Sequence, residues 1–144
     1  MSTKKISHWL LKSEPSAFSL DDLAAAPEQS TLWDGVRNHQ ARRYLGQMQP
    51  DDLAFFYHSN GRPSAIVGVV RVSGPAEVEA EKWLAVPVEF VEKFPVPLAL
   101  NEIRAEPRLA DLPLLKQSRL SVSPLRAEQW SIIRLLISAK ELNG

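Results

Sequence analysis

"LAFFYHSNGRPSAIVGVVRV", residues 53–72, holds two runs of β-branched and aromatic side chains around the polar loop Ser59-Asn60-Gly61-Arg62-Pro63. A loop this short joins antiparallel strands, because a parallel crossover needs roughly a dozen residues or more. A hairpin at the middle of the chain therefore argues against a doubly wound parallel sheet. Asn60-Gly61 suits the positive φ that such a loop requires. Gly68, inside "AIVGVVRV", predicts a bulge or the close approach of another backbone.

Working outward, His8 to Lys12 is a compact strand, stopped by Glu14-Pro15 because the residue before proline avoids the helical region. Ser19 and Asp22 form a capping-box start for a short helix that ends before Pro27. Ala41, Tyr44, Leu45 and Met48 fall at i, i+3, i+4 and i+7, which predicts a helix from about Asn38 to Met48. Trp83 to Phe94 alternates as a strand, with Pro87 marking an edge or bulge. Helical turns follow near Leu100–Arg104 and Leu112–Lys116, then a last strand over Arg119–Ser123. A C-terminal helix starts near Ala127, with Trp130, Ile133 and Ile137 on one face and Leu136 extending it. About five or six strands with short helices, lacking a βαβ rhythm, define an α+β domain. The expected architecture is a small mixed or antiparallel β-barrel, or a strongly curved sheet, decorated by helices.

The 144 residues suit one domain spanning 1–144, and 44% apolar with 24% charged residues is a globular composition. Lys plus Arg equals Asp plus Glu at 17 each, so no global field draws the chain to a polyanion. Any nucleic-acid contact must be local. The absence of cysteine excludes disulfides, thiolate metal sites and a cysteine nucleophile. No signal-peptide-like apolar region and no membrane-spanning run is present, which sets the expectation of a soluble, cytoplasmic protein.

Catalytic patterns are sparse. His8, His39 and His58 lack metal-ligand spacing, and Asp21-Asp22 and Asp51-Asp52 suit capping and turns better than acid–base work. No metal and no cofactor is expected. A second stretch, "WDGVRNHQARRYL" at 33–45, offers more. It carries a tryptophan, an Asp-Gly turn and three arginines. With Lys12-Ser13 and His58-Ser59 at strand ends, Trp33 could stack on a flat heterocycle whose edge amide, hydroxyl or guanidinium groups read. Tryptophan beside Asp-Gly is also a common core plug, and Arg42 and Arg43 suit a solvated helix face.

Together, "HWLLKSEPSAFSLDDL", "WDGVRNHQARRYL", "DDLAFFYHSNG", "GVVRV" and "SRLSVSPLRAEQW" resemble the EVE domain family, in order and over about Trp9 to Leu136. The resemblance implies a PUA-like β-barrel and a non-enzymatic reader of a modified base in DNA or RNA. By motif, it implies that Lys12 and Ser13 line a pocket floor and Trp33, beside Asp34, supplies an aromatic wall. Arg37, Asn38 and Gln40 would contact base edge and phosphate, and His58 and Ser59 would close the pocket. Lys4, Lys5 and Arg42 would add weak phosphate contacts. Tyr57 and Trp83 are the candidates for a second aromatic wall. One departure stands out: "VSGPAEVEAEKW" at 72–83 replaces a longer family insertion, which implies a more open pocket. Two other classes are open on these residues. One is an enzyme on nucleic acid or a small heterocycle with His58 as base; the other is a protein-interaction module using Glu77 to Glu81.

Overall fold

The computed structural model describes residues 7–143. Among these residues seven strands form: β1 (His8–Ser13), β2 (Ser30–Trp33), β3 (Leu53–His58), β4 (Ala65–Val72), β5 (Glu77–Ala80), β6 (Trp83–Ala99) and β7 (Val122–Leu125). Five helices accompany them: α1 (Leu20–Ala25), α2 (His39–Gln47), α3 (Leu100–Arg104), α4 (Pro113–Lys116) and α5 (Ala127–Asn143). The strand order is β2-β6-β4-β3-β1-β7, with β5 added to the start of β6. The hairpin of 53–72 lies at its centre as β3–β4, and β1 pairs β3 in parallel, so the sheet is mixed.

Period-two alternation explains why this sheet needs cover on both faces. Trp9, Leu11, Ala54 and Phe56 point into one buried cluster, while Leu10, Phe55 and Tyr57 point into the other. Leu20 and Leu23 of α1, with Ala41 and Leu45 of α2, close the first cluster. Ile103, Leu114, Ile133 and Ile137, from α3, α4 and α5, close the second. The end strands β2 and β7 are not neighbours in the sheet, and α2 packs against both β6 and β7 across the open side. The result is a strongly curved, barrel-like sheet.

Local chemistry sets the helix starts. Ser19 Oγ accepts from Asp22 N at 3.0 Å and Asp22 Oδ2 accepts from Ser19 N at 2.8 Å, the reciprocal capping box expected there. Asn38 Oδ1 accepts from Ala41 N at 2.9 Å, so Asn38 caps α2 instead of opening it.

The strand count exceeds the five or six expected, because β2 and β5 are each too short to show a period. The last strand is shifted from 119–123 to Val122–Leu125. β6 also runs beyond Phe94 through Pro95 and Pro97. Its pairing with β4 jumps from Gly68↔Lys93 to Ile66↔Leu98, so both prolines fall in a bulge where no ladder N–H is needed. In the β3–β4 loop, Asn60 carries the positive φ of 55°. Gly68 instead packs against the Glu92 carbonyl and a Leu20 methyl, which leaves no room for a Cβ. No described helix is long and apolar enough to cross a membrane.

One buried acid anchors the sheet. Asp52, 1% exposed, accepts from Trp9 Nε1 at 2.9 Å, Ser7 N at 3.0 Å and Gln49 N at 3.0 Å. Asp52→Ala leaves these donors without their acceptor, including a buried indole N–H. We expect a loss of about 3 kcal/mol in unfolding free energy, measured by urea denaturation.

Candidate functional site

Where β1 ends beside β2, a cavity of about 200 Å³ opens between Ser13, Phe18 and residues 31–34. Each wall has a local cause. Ser13 follows Trp9 and Leu11 in alternation, so its side chain leaves β1 on their face. Phe18 precedes the Ser19 cap and sits where a hydrophobic staple packs against Leu23, the fourth helical residue of α1. Trp33 ends β2 and meets Phe56 edge-on, ring centroids 5.5 Å apart. It is not an exposed platform. At 8% exposure it belongs to the core, with one part of its ring lining the cavity.

Ser13 Oγ and Asp34 face the cavity as acceptors, beside the Thr31 hydroxyl, which can donate or accept. Ser13 Oγ donates its proton to Phe18 O at 2.6 Å, leaving lone pairs for a ligand. Asp34 is exposed and has no hydrogen-bond or ion-pair partner among the described residues. Leu32, 37% exposed, adds apolar surface at the rim.

His58 lies one ring behind this cavity, 5.5 Å from Phe56 in an edge contact. Its Nε2 accepts from Leu20 N at 3.1 Å, which anchors α1 and occupies the lone pair that a general base would use. Burial pushes its pKa below the ordinary 6.5, against smaller raising effects from Asp21 and Asp22. The unfolded chain therefore takes up this proton first. The stabilisation is full above about pH 6.5 and is lost as pH falls from there through the folded-state value. His8 shifts the same way through burial, opposed by Asp52. We expect the thermal midpoint to fall between about pH 7 and about pH 5, and to fall less in His58→Gln, whose amide oxygen can still accept from Leu20.

The remaining sequence-derived residues lie apart from the cavity. Lys12 leaves β1 on the opposite face from Ser13 and donates Nζ to Ser118 O at 3.0 Å; burial pushes its ammonium below the ordinary range. Tyr57 belongs to the second core cluster, beyond the sheet from Trp33, so it forms no wall here. Ser59 donates its backbone N–H to Ser13 O at 3.0 Å and so fixes the strand end. Gln40 Nε2 donates to Tyr44 Oη at 3.3 Å. Lys4 and Lys5 lie outside the described residues.

Arg37 and Arg42 of "WDGVRNHQARRYL" have structural work, while Arg43 is exposed on α2. Gly35, at φ 74°, directs its N–H to Glu79 Oε1 at 2.6 Å, and Arg37 pairs with Glu79 Oε2 at 2.5 Å. These two donors hold the Glu79 carboxyl below its usual range. Arg37 also lies 5.4 Å above the Trp83 ring, which stacks on His39 at 5.2 Å. Arg42 Nε donates to Lys82 O. The short 72–83 segment thus folds as a hairpin of β5 on β6 that clamps the loop before α2, and Trp83 serves that clamp. The second ring at the cavity is Phe18. Sequence reading missed it, although its place before the capping box is the signal of a staple residue.

A mixed, barrel-like sheet with an aromatic and acceptor-lined cavity at its strand ends defines a PUA-like domain. The chain belongs to the EVE domain family, whose model matches residues 7–136. Human thymocyte nuclear protein 1 is 34% identical over 94% of this chain and 75% of its own length. The zebrafish (Danio rerio) protein of that name is 36% identical over 88% of this chain and 70% of its own. Among solved structures, human THYN1 protein in complex with 5-methylcytosine-containing DNA superposes with a TM-score of 0.85. It is 32% identical and covers 91% of this chain and 97% of that one. A Pseudomonas putida protein gives 0.84 at 38% identity, covering 90% and 99%.

Proposed function

We propose that this chain is a non-enzymatic reader of a modified base, of the methylated-cytosine type, in a nucleic acid. The observation that carries the reading is the pairing of rings and acceptors in one cavity: Trp33 and Phe18 beside Ser13 Oγ and Asp34. Cytosine presents an amino donor at N4, whereas thymine presents a carbonyl acceptor there. Lone pairs from Ser13 and Asp34 favour the first and repel the second. Phe18 and Leu32 offer apolar contact to a 5-methyl group. A base inside a duplex cannot enter such a cavity, so it arrives flipped or single-stranded. The relative solved with 5-methylcytosine-containing DNA supports DNA as the first polymer to test. Engagement of His58 Nε2 by Leu20 N–H favours the reader over an enzyme using that nitrogen as base.

Fluorescence titration with DNA oligonucleotides carrying 5-methylcytosine, cytosine or thymine at one position tests the reading. Binding is expected to be tightest to 5-methylcytosine and weakest to thymine. Equal binding to all three, or none, would sink it.

A further inference from the structure

A second concavity of about 290 Å³ lies between Asn38 and Gln40 at the start of α2 and residues 116–120 before β7. We propose that this groove takes the phosphodiester backbone of the nucleic acid whose base enters the Ser13–Trp33 cavity, and the proposal rests on that reading. The two concavities flank the end of β1. Ser13 lines the first, and the adjacent Lys12 reaches Ser118, a wall residue of the second. Lys12 N also donates to Ser121 O at 2.9 Å, so the segment bordering the groove is held against β1.

Its charge fits a polyanion. Lys116 and Arg119 line it and Lys12 Nζ reaches its wall at the Ser118 carbonyl; among the described residues the one carboxylate bonded to these cations is Asp111, 3.3 Å from Lys116 on an exposed surface. Such an exposed pair is worth little and is readily exchanged. Arg119 is exposed and has no partner among the described residues, and burial already disfavours the lone charge of Lys12. Arg37 and Arg42 are by contrast occupied by Glu79 and the Lys82 carbonyl. A backbone running from the cavity past Lys12 meets unneutralised cations here, and its phosphates would release counterions on contact.

The test compares Lys116→Glu/Arg119→Glu with Arg104→Glu, an exposed charge reversal on α3 across the sheet, using the full chain and labelled oligonucleotides at several salt concentrations. The groove variant is expected to weaken binding by about tenfold or more for methylated and unmethylated strands alike, leaving their ratio unchanged. Its salt dependence should be shallower by about 2 in log–log slope. An unchanged melting midpoint confirms the fold. Equal effects of the groove and α3 variants overturn the proposal. So does loss of a poly-glutamate peptide with oligonucleotide binding retained, which would assign the groove to acidic protein. If the unsubstituted chain binds DNA without preferring the modified base, yet the groove variant still weakens it, the base reading fails and the groove stands. No binding by the unsubstituted chain overturns both.

Discussion

Trp33→Ala is expected to lower the unfolding free energy by about 3–5 kcal/mol, the cost of emptying a well-packed aromatic site. The indole is 8% exposed and packs edge-on against Phe56, itself fully buried at the centre of β3. A domain of this size has only about 5–15 kcal/mol in total, so the variant sits near its unfolding threshold at ambient temperature. Loss of binding in that variant would therefore report the missing core as much as the missing wall. Trp33→Phe separates the two, because it keeps a ring against Phe56 while shortening the surface offered to the cavity. Urea denaturation with an unchanged m-value measures the first effect, and oligonucleotide titration of the phenylalanine variant measures the second. A Trp33→Ala chain of full stability would overturn the placement of this ring in the core.

Gly68→Ala is the second large effect, about 3 kcal/mol from overpacking. An added Cβ would collide with the Glu92 carbonyl and a Leu20 methyl. The carbonyl belongs to β6, which pairs β4 at Val69↔Glu92, so it cannot retreat without parting two central strands. Leu20 is 1% exposed and packed within the first core cluster, so its methyl is enclosed by close-packed neighbours. Adding Leu20→Ala to Gly68→Ala should relieve only the side-chain clash, so the double variant stays destabilised. Denaturation midpoints of the three chains check this order.

Much of the architecture could be read from residue order because its signals are local. The 53–72 hairpin, the Ser19–Asp22 box and the 41–48 periodicity each occupy one short window, and each forms as expected. β2 and β5 escape such reading, since four residues hold too little alternation to register and both depend on β6 for a partner. The site was less legible. Ser13, Trp33 and Asp34 do share one cavity, but β1 alternation sends Lys12 the other way and β3 alternation sends Tyr57 through the sheet. Spacing along the chain could not show that Glu79, 42 residues from Arg37, would claim its guanidinium.

The placement of β1 has a consequence for how the chain acquires its shape. His8 is opposite Leu53 on one side and Leu125 on the other. The second pairing cannot form until residues 122–125 have left the ribosome. During synthesis β1 can dock on β3 but waits with one open edge for β7, and contacts of such long sequence separation slow folding. A nascent chain stopped just before Val122 should thus present an unfinished edge to chaperones, and emergence of Val122–Leu125 should close it.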